Sequence, residues 1–168
     1  DVLKLDCHAT DLLEEWRTMA YNLDTLSEEV HIAMVGKYTN LSDAYLSVIK
    51  SLQHAAMAVN RKLVIDWIEA SHLESDWPES QEREDAWKLL KQASGVLVPG
   101  GFGDRGVEGK ILAAEYARTS STPYLGICLG LQVAAIEFCR NVLGFEDSNS
   151  TEFGKPYSFT IESYDQFL

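Results

Sequence analysis

Four short apolar runs, each followed by a stretch with helical spacing, constrain the fold of this chain more than any other feature. Ile32-Ala33-Met34-Val35-Gly36 is the first. Behind it Tyr45, Val48, Ile49, Leu52, Ala55, Ala56 and Val59 follow one face of a helix, which Ser42 is placed to cap. Leu63–Ile68 is the second run. Ser75–Glu84, with Trp77-Pro78 and many acids, reads as a surface loop, and Ala86, Trp87, Leu90 and Ala93 mark the next helix. Gly95-Val96-Leu97-Val98 leads into a helix over Val107–Arg118 with Val107, Ile111, Ala114 and Ala117 inward. Pro123–Ile127 leads into another over Leu129–Arg140. Apolar runs without alternation are strands buried on both faces. Strands of that kind, joined by helices, pair in parallel through right-handed crossovers. The expected fold is α/β: an open, doubly wound, mainly parallel sheet with helices on both faces.

Residues 1–29 stand apart from this pattern. Thr10 can cap a helix whose Leu12, Leu13, Trp16, Met19, Ala20 and Leu23 form one stripe, and the acidic Asp24–Glu29 reads as a connector. The segment carries no chemistry and reads as a linker helix packed on a neighbour. The remaining length suits one domain over residues 30–153, with a tail at 154–168. Fourteen basic against twenty-six acidic side chains give a net charge of -12, which repels nucleic acid and anionic lipid. No apolar run approaches the ~18 residues of a membrane span. Neither nucleic acid nor a membrane is an expected partner. Cys7, Cys128 and Cys139 are odd in number and widely spaced, and no Cys-x-x-Cys or His-x-x-x-His pair occurs. A disulfide framework and a metal site are therefore not expected, and a reducing, cytoplasmic location is.

The chemistry concentrates at Tyr124-Leu125-Gly126-Ile127-Cys128-Leu129-Gly130-Leu131-Gln132. An apolar run ends in glycine, a cysteine follows after one residue, a second glycine after another, and a helix begins. That is a nucleophile elbow with cysteine as the nucleophile. The glycines permit the sharp strand-to-helix turn, and the helix N-terminus favours a thiolate. A buried cysteine at a strand end is the plainer reading of the same pentapeptide.

A second glycine-rich stretch, Pro99-Gly100-Gly101-Phe102-Gly103-Asp104-Arg105-Gly106, follows the third strand. Its Gly-x-Gly-x-x-Gly spacing matches a dinucleotide fingerprint. That reading also needs an acidic residue ~20 positions on, and here the next strand ends in Cys128. Gly109-Lys110 is followed by Ile111, so a phosphate-binding P-loop fails too. Both this loop and the cysteine lie at the carboxyl ends of strands, where open α/β sheets bind ligands. Bare glycine amides beside a nucleophile can serve as an oxyanion hole. A tight turn that merely needs positive φ angles is the alternative.

Val98–Gly103, Gly126–Gln132 and Asn149-Ser150-Thr151-Glu152-Phe153 together resemble the class I glutamine amidotransferases, within them the glutaminase domain of the CTP synthase family. His31–Tyr38 and Asp43-Ala44-Tyr45 are similar to that family's first strand and helix, and the likeness covers roughly residues 10–153. The resemblance implies a flavodoxin-like sheet, with residues 10–29 as the helix linking a synthetase domain to the glutaminase domain. It implies that Cys128 attacks the side-chain amide of L-glutamine, forming a glutamyl thioester and releasing ammonia. Gly100 and the amide of Leu129 would form the oxyanion hole. Gly101, Phe102, Gln132 and Glu152 would hold the substrate, and Arg105 to Gly109 would belong to a lid coupled to GTP activation. Ammonia would then aminate UTP to CTP in a synthetase domain that uses ATP and Mg²⁺ and is absent here. This chain itself would bind none of those cofactors, and the synthetase domain or other subunits of a homo-oligomer would be its partners.

The family completes its triad with a His-x-Glu pair downstream of the cysteine, whereas His8, His31, His54 and His72 all precede Cys128. His72-Leu73-Glu74 has the letters but lies after the second strand, before the acidic loop. Residues 154–168 do not match the family. The chain reads as a short form or a piece, and a catalytically silent binding or assembly module of the same fold stays open beside the enzyme. A different cysteine hydrolase is opposed by Gln132 and Glu152. Tyr157–Ile161 alternates like a strand and is expected to pair on the sheet edge left open after residue 153.

Overall fold

The computed structural model describes residues 12–37, 42–153 and 160–161. The core elements alternate: β1 (Glu29–Gly36), α2 (Leu46–Ala58), β2 (Lys62–Glu69), α3 (Gln81–Gln92), β3 (Gly95–Val98), α4 (Val107–Thr119), β4 (Tyr124–Gly126) and α5 (Leu129–Asn141). Helix α1 (Leu12–Thr25) precedes them. Strands β1 to β4 form one sheet in the order β2-β1-β3-β4, and every pairing is parallel. The doubly wound sheet expected from the sequence is present.

Alternation along the strands sends side chains to two faces. On one, Ala33, Val35, Ile68, Val96 and Val98 are at most 2% exposed, against Leu90 of α3, Ile111 and Ala117 of α4, and Leu129, Val133 and Ile136 of α5. Each such aliphatic side chain contributes about 1.5–3 kcal/mol when fully buried. Arg118 of α4 clamps this layer by a two-pronged bond to the buried Glu137 of α5, its closest contact 2.7 Å. On the other face Met34 is buried, and the Tyr45 and Trp67 rings lie 5.9 Å apart beside α2. This second face is only partly covered. Leu125 is 54% exposed, and with Ile32, Leu52 and Leu97 it borders an apolar hollow of about 160 Å³.

Three local expectations change. Ser42 opens a 3₁₀ turn (Ser42–Tyr45) and the α-helix starts only at Leu46, capped by no side chain. Ser75–Glu84 is not all loop: Ser80 accepts from the Arg83 amide and caps α3, so Glu82 and Glu84 belong to its first turn. Acids favour a helix N-terminus, and here they marked one. The tail does not reach the open sheet edge in its described part. Thr160–Ile161 (β6) pairs in parallel with Asn149–Ser150 (β5), a partner nearer along the chain. The α1 stripe finds little cover on this chain: Leu13, Trp16, Met19 and Leu23 are all exposed. Thr10, Cys7, His8 and residues 154–159 lie outside the described residues.

His31 of β1 places Nδ1 2.9 Å from Asp66 of β2, with Nε2 3.7 Å from Glu29. The hydrogen bond to Asp66 raises the imidazole above its ordinary value, against a lesser opposing pull from burial. A raised folded-state value means the stabilisation is complete below the unfolded value and disappears as pH rises through the folded one. The melting-temperature advantage of the parent over His31→Gln should therefore be largest near pH ~5.5 and vanish above the raised value. Thermal melts across that range check it, and an advantage that grows with pH would contradict it.

Candidate active site

Strand β4 ends at Gly126 and α5 begins at Leu129, so the chain reverses within two residues. That reversal needs both glycines. A Cβ on Gly126 would lie 2.3 Å from the Gly130 carbonyl oxygen, and one on Gly130 would lie 2.0 Å from that of Val98. Backbone approaches backbone there, and no side chain can move aside. Cys128 takes up the remaining strain, with φ 54° and ψ -106°, a region that non-glycine residues rarely occupy.

The turn leaves the thiol exposed at the mouth of α5. Amides of Gly130, Leu131 and Gln132 fold back onto the Ile127 and Cys128 carbonyls at 2.9, 3.0 and 3.2 Å. The Leu129 amide, first in the helix, lies ahead of that ladder and is free for a ligand. Tyr124 holds the first turn from below, its hydroxyl donating to the Gly130 carbonyl at 2.8 Å. Burial raises the phenol's pKa, which keeps it a neutral donor.

Because β3 and β4 are neighbours, paired at Val98 and Gly126, the loops after them meet. A Cβ on Gly100 would stand 3.3 Å from the Cys128 Cβ and 3.9 Å from its Sγ. Gly101 packs against Leu129. Thus Gly100, Gly101, Cys128 and Leu129 are brought together. On α5, Gln132 sits one turn beyond Cys128 and is 8% exposed. Its Oε1 accepts from Ser150 Oγ at 2.8 Å, and its Nε2 donates to Glu152 Oε2 at 3.4 Å. Ser150 Oγ also accepts from the Glu152 amide at 3.3 Å. Glu152 Oε1 is buried and has no partner among the described residues. A buried carboxylate oxygen left without a partner is costly, and a cationic ligand group would satisfy it.

The residues of the expected lid part company. Phe102 is 75% exposed, and its carbonyl receives Lys37 Nζ at 3.0 Å. Arg105 donates to the Lys37 carbonyl at 2.7 Å and to Glu69 at 3.3 Å. Gly109 lies in the first turn of α4, and a Cβ there would lie 1.8 Å from the Ala70 carbonyl oxygen. Its amide donates to Glu74 at 3.4 Å, and burial raises that carboxyl's pKa. Gly109 is therefore a packing glycine, fixed against the 3₁₀ turn Ala70–Leu73. Lys110, buried beside it, is pushed down to about 8 by burial and then by Lys37.

None of the described histidines lies on the loops that meet at Cys128. His72 stacks with Trp77 at 4.8 Å beyond β2. Strand β2 is separated from β4 by β1 and β3, hence by about 14 Å at the usual strand spacing. Sequence reasoning did not single out Lys37 or the Ser150 hydroxyl. Lys37's position one residue past a parallel strand's carboxyl end was the available signal.

The family description "Glutamine amidotransferase class-I" matches residues 40–160. The chain belongs to that family. It is 57% identical over 145 residues to CTP synthase of Dictyostelium discoideum, covering 84% of this chain and 26% of that protein. It is 50% identical over 161 residues to CTP synthase 1 of Homo sapiens, covering 95% and 27%. Among solved structures it resembles the glutaminase domain of Trypanosoma brucei CTP synthase with bound acivicin, with TM-score 0.64 and 44% identity, covering 74% of this chain and 46% of that one. The chain therefore spans about a quarter of the length of the curated relatives it matches.

A methyl at Gly130 cannot be accommodated without moving β3 away from α5. Gly130→Ala should destabilise the fold by about 3 kcal/mol or more, measured by denaturant titration. Cys128→Gly removes the positive-φ strain and should melt higher than Cys128→Ala. Equal melting of the two cysteine variants would mean that the elbow stores no strain.

Proposed function

We propose that this chain carries the glutaminase site of a CTP synthase. The observation that supports it best is the convergence of a strained, exposed Cys128, the Gly100 loop in contact with it, and a buried Glu152 oxygen without a partner among the described residues. Glutamine enters with its ammonium on Glu152, a carboxylate held in place by Gln132 and Ser150. The Cys128 thiolate then attacks the side-chain amide carbon. Charge developing on the carbonyl oxygen is met by the amides of Gly100 and Leu129. Once the nitrogen has taken up a proton, collapse of the tetrahedral species breaks the carbon–nitrogen bond, ammonia leaves and a glutamyl thioester remains. Water then hydrolyses the thioester to glutamate and restores the thiol.

Deprotonation of Cys128 and protonation of the leaving nitrogen need a base that the described histidines do not provide. The reading assigns that role to a His-x-Glu pair from a longer chain. In such a chain the ammonia would aminate UTP in a synthetase domain using ATP and Mg²⁺, with GTP as activator. Among the described residues no group of three or more His, Cys, Asp or Glu could hold a metal ion, and no step above runs through Mg²⁺ or a nucleotide. The partners are then L-glutamine and the synthetase domain or other subunits of a homo-oligomer. The distance of the described histidines from Cys128 favours a second reading, a silent binding or assembly module of the same fold.

Incubation with acivicin followed by peptide mapping tests the nucleophile. Cys128 should be labelled first, and Cys139, buried in α5, should not react. Labelling of Cys139 with Cys128 untouched would sink the glutaminase reading. Ammonia release from glutamine should fall far below the ordinary enzymatic range of ~1–10³ per second. Supplying a downstream His-x-Glu should raise it by several powers of ten. Turnover in the ordinary range without that addition would place the base among the residues already here.

A further inference from the structure

We propose that Lys37 is a positioning residue whose side chain and carbonyl together clasp residues 102–105 and so hold Gly100 against Cys128. The catalytic consequence rests on the glutaminase reading; the clasp itself does not.

Lys37 directly follows β1, a strand paired on both sides, with β2 through Gly36 and Glu69 and with β3 through Met34 and Leu97. Its backbone is therefore anchored in the most rigid part of the sheet. From there it makes two contacts of opposite sense. Its Nζ donates to the Phe102 carbonyl at 3.0 Å, and its own carbonyl accepts from Arg105 at 2.7 Å. The two ends of the stretch Phe102–Arg105 are thus tied to a single residue of the central sheet. Glu69 of β2 steadies the Arg105 guanidinium at 3.3 Å.

The loop needs such a tie because little else orders it. Residues 102–105 are all exposed, so no apolar packing fixes them. Gly103 is shaped around the clasp: its φ is +76°, and a Cβ there would lie 3.3 Å from Lys37 Nζ. Two residues before Phe102 comes Gly100, beside Cys128: a Cβ on it would lie 3.3 Å from the Cys128 Cβ. An oxyanion donor displaced by about 1 Å loses much of its effect. A loop held at Phe102 and Arg105 keeps Gly100 in register with the thiol, and a loose one does not.

The test uses the full 168-residue chain as parent, Lys37→Met and Lys37→Arg. Amide hydrogen exchange is read at residues 100–105, and acivicin inactivation of Cys128 is resolved into its maximal rate and half-saturating concentration. Lys37→Met should speed exchange of the loop about tenfold or more. It should slow maximal inactivation by about 10–100-fold, with the half-saturating concentration changed by less than about 3-fold. Lys37→Arg, which keeps a long cationic donor, should stay near the parent in both. Unchanged exchange in Lys37→Met overturns the clasp. Faster exchange with an unchanged inactivation rate overturns the positioning role. A shift in half-saturation alone means that Lys37 touches the ligand, which also overturns it. If Lys37→Met does not fold, Lys37→Gln replaces it and must show the same loss, because the shorter amide cannot span to Phe102. A parent that acivicin never labels removes the glutaminase reading and the catalytic half of this inference, and the exchange data then decide the clasp alone.

Discussion

The structure depends on two close approaches of backbone to backbone. The Val98 carbonyl lies so near Gly130 that any side chain there would collide with it, and Gly130's own carbonyl stands equally close to Gly126. These two contacts let α5 start directly against the ends of β3 and β4. Everything chemical in the chain follows from that placement. The thiol emerges at a helix mouth, the Leu129 amide opens that helix, and Gly100 is brought to the same point because β3 is β4's neighbour. The strained φ of Cys128 is a consequence, sustained because the packing of Leu129, Val133 and Ile136 beneath the sheet over-determines it.

Around this point the molecule is ordered unevenly. The Glu152 carboxylate is set by a short polar relay, Gln132 to Ser150 to Glu152, in which Gln132 and Ser150 are buried. The opposite wall is an exposed glycine loop with no packing of its own, tied to the sheet through Lys37 and Arg105. One side of the elbow is thus ordered by packing and the other by directed hydrogen bonds.

One layer of this fold is complete and the other is not. Helices α3, α4 and α5 seal one face of the sheet. On the other face α2 leaves Leu125 and Ile127 partly open, and α1 displays Leu13, Trp16, Met19 and Leu23. The matched CTP synthases are about four times longer than the matched region.

How much of this was legible in the sequence follows from the range of each interaction. Period and run length are local, so the four strands, their helices and the parallel order of a doubly wound sheet could be read directly. The elbow could be read as well, because its two glycines and its cysteine are neighbours in the chain. Helix beginnings were read less well: the acids after Ser80 looked like loop and proved to be a capped first turn. Gly109 was named as part of a lid by resemblance, and only contact with Ala70, a residue from a different element, shows why a side chain cannot stand there. The tail's pairing with Asn149–Ser150 and the bond from Lys37 to Phe102 are likewise contacts between distant positions. The sequence by itself determined the elements, their winding and the place of the elbow cysteine, since these depend on spacing along the chain. Tertiary structure alone decided which residues hold the loop, which carboxylate oxygen is left without a partner and how far His72 lies from Cys128, since each is a distance between segments that spacing does not encode.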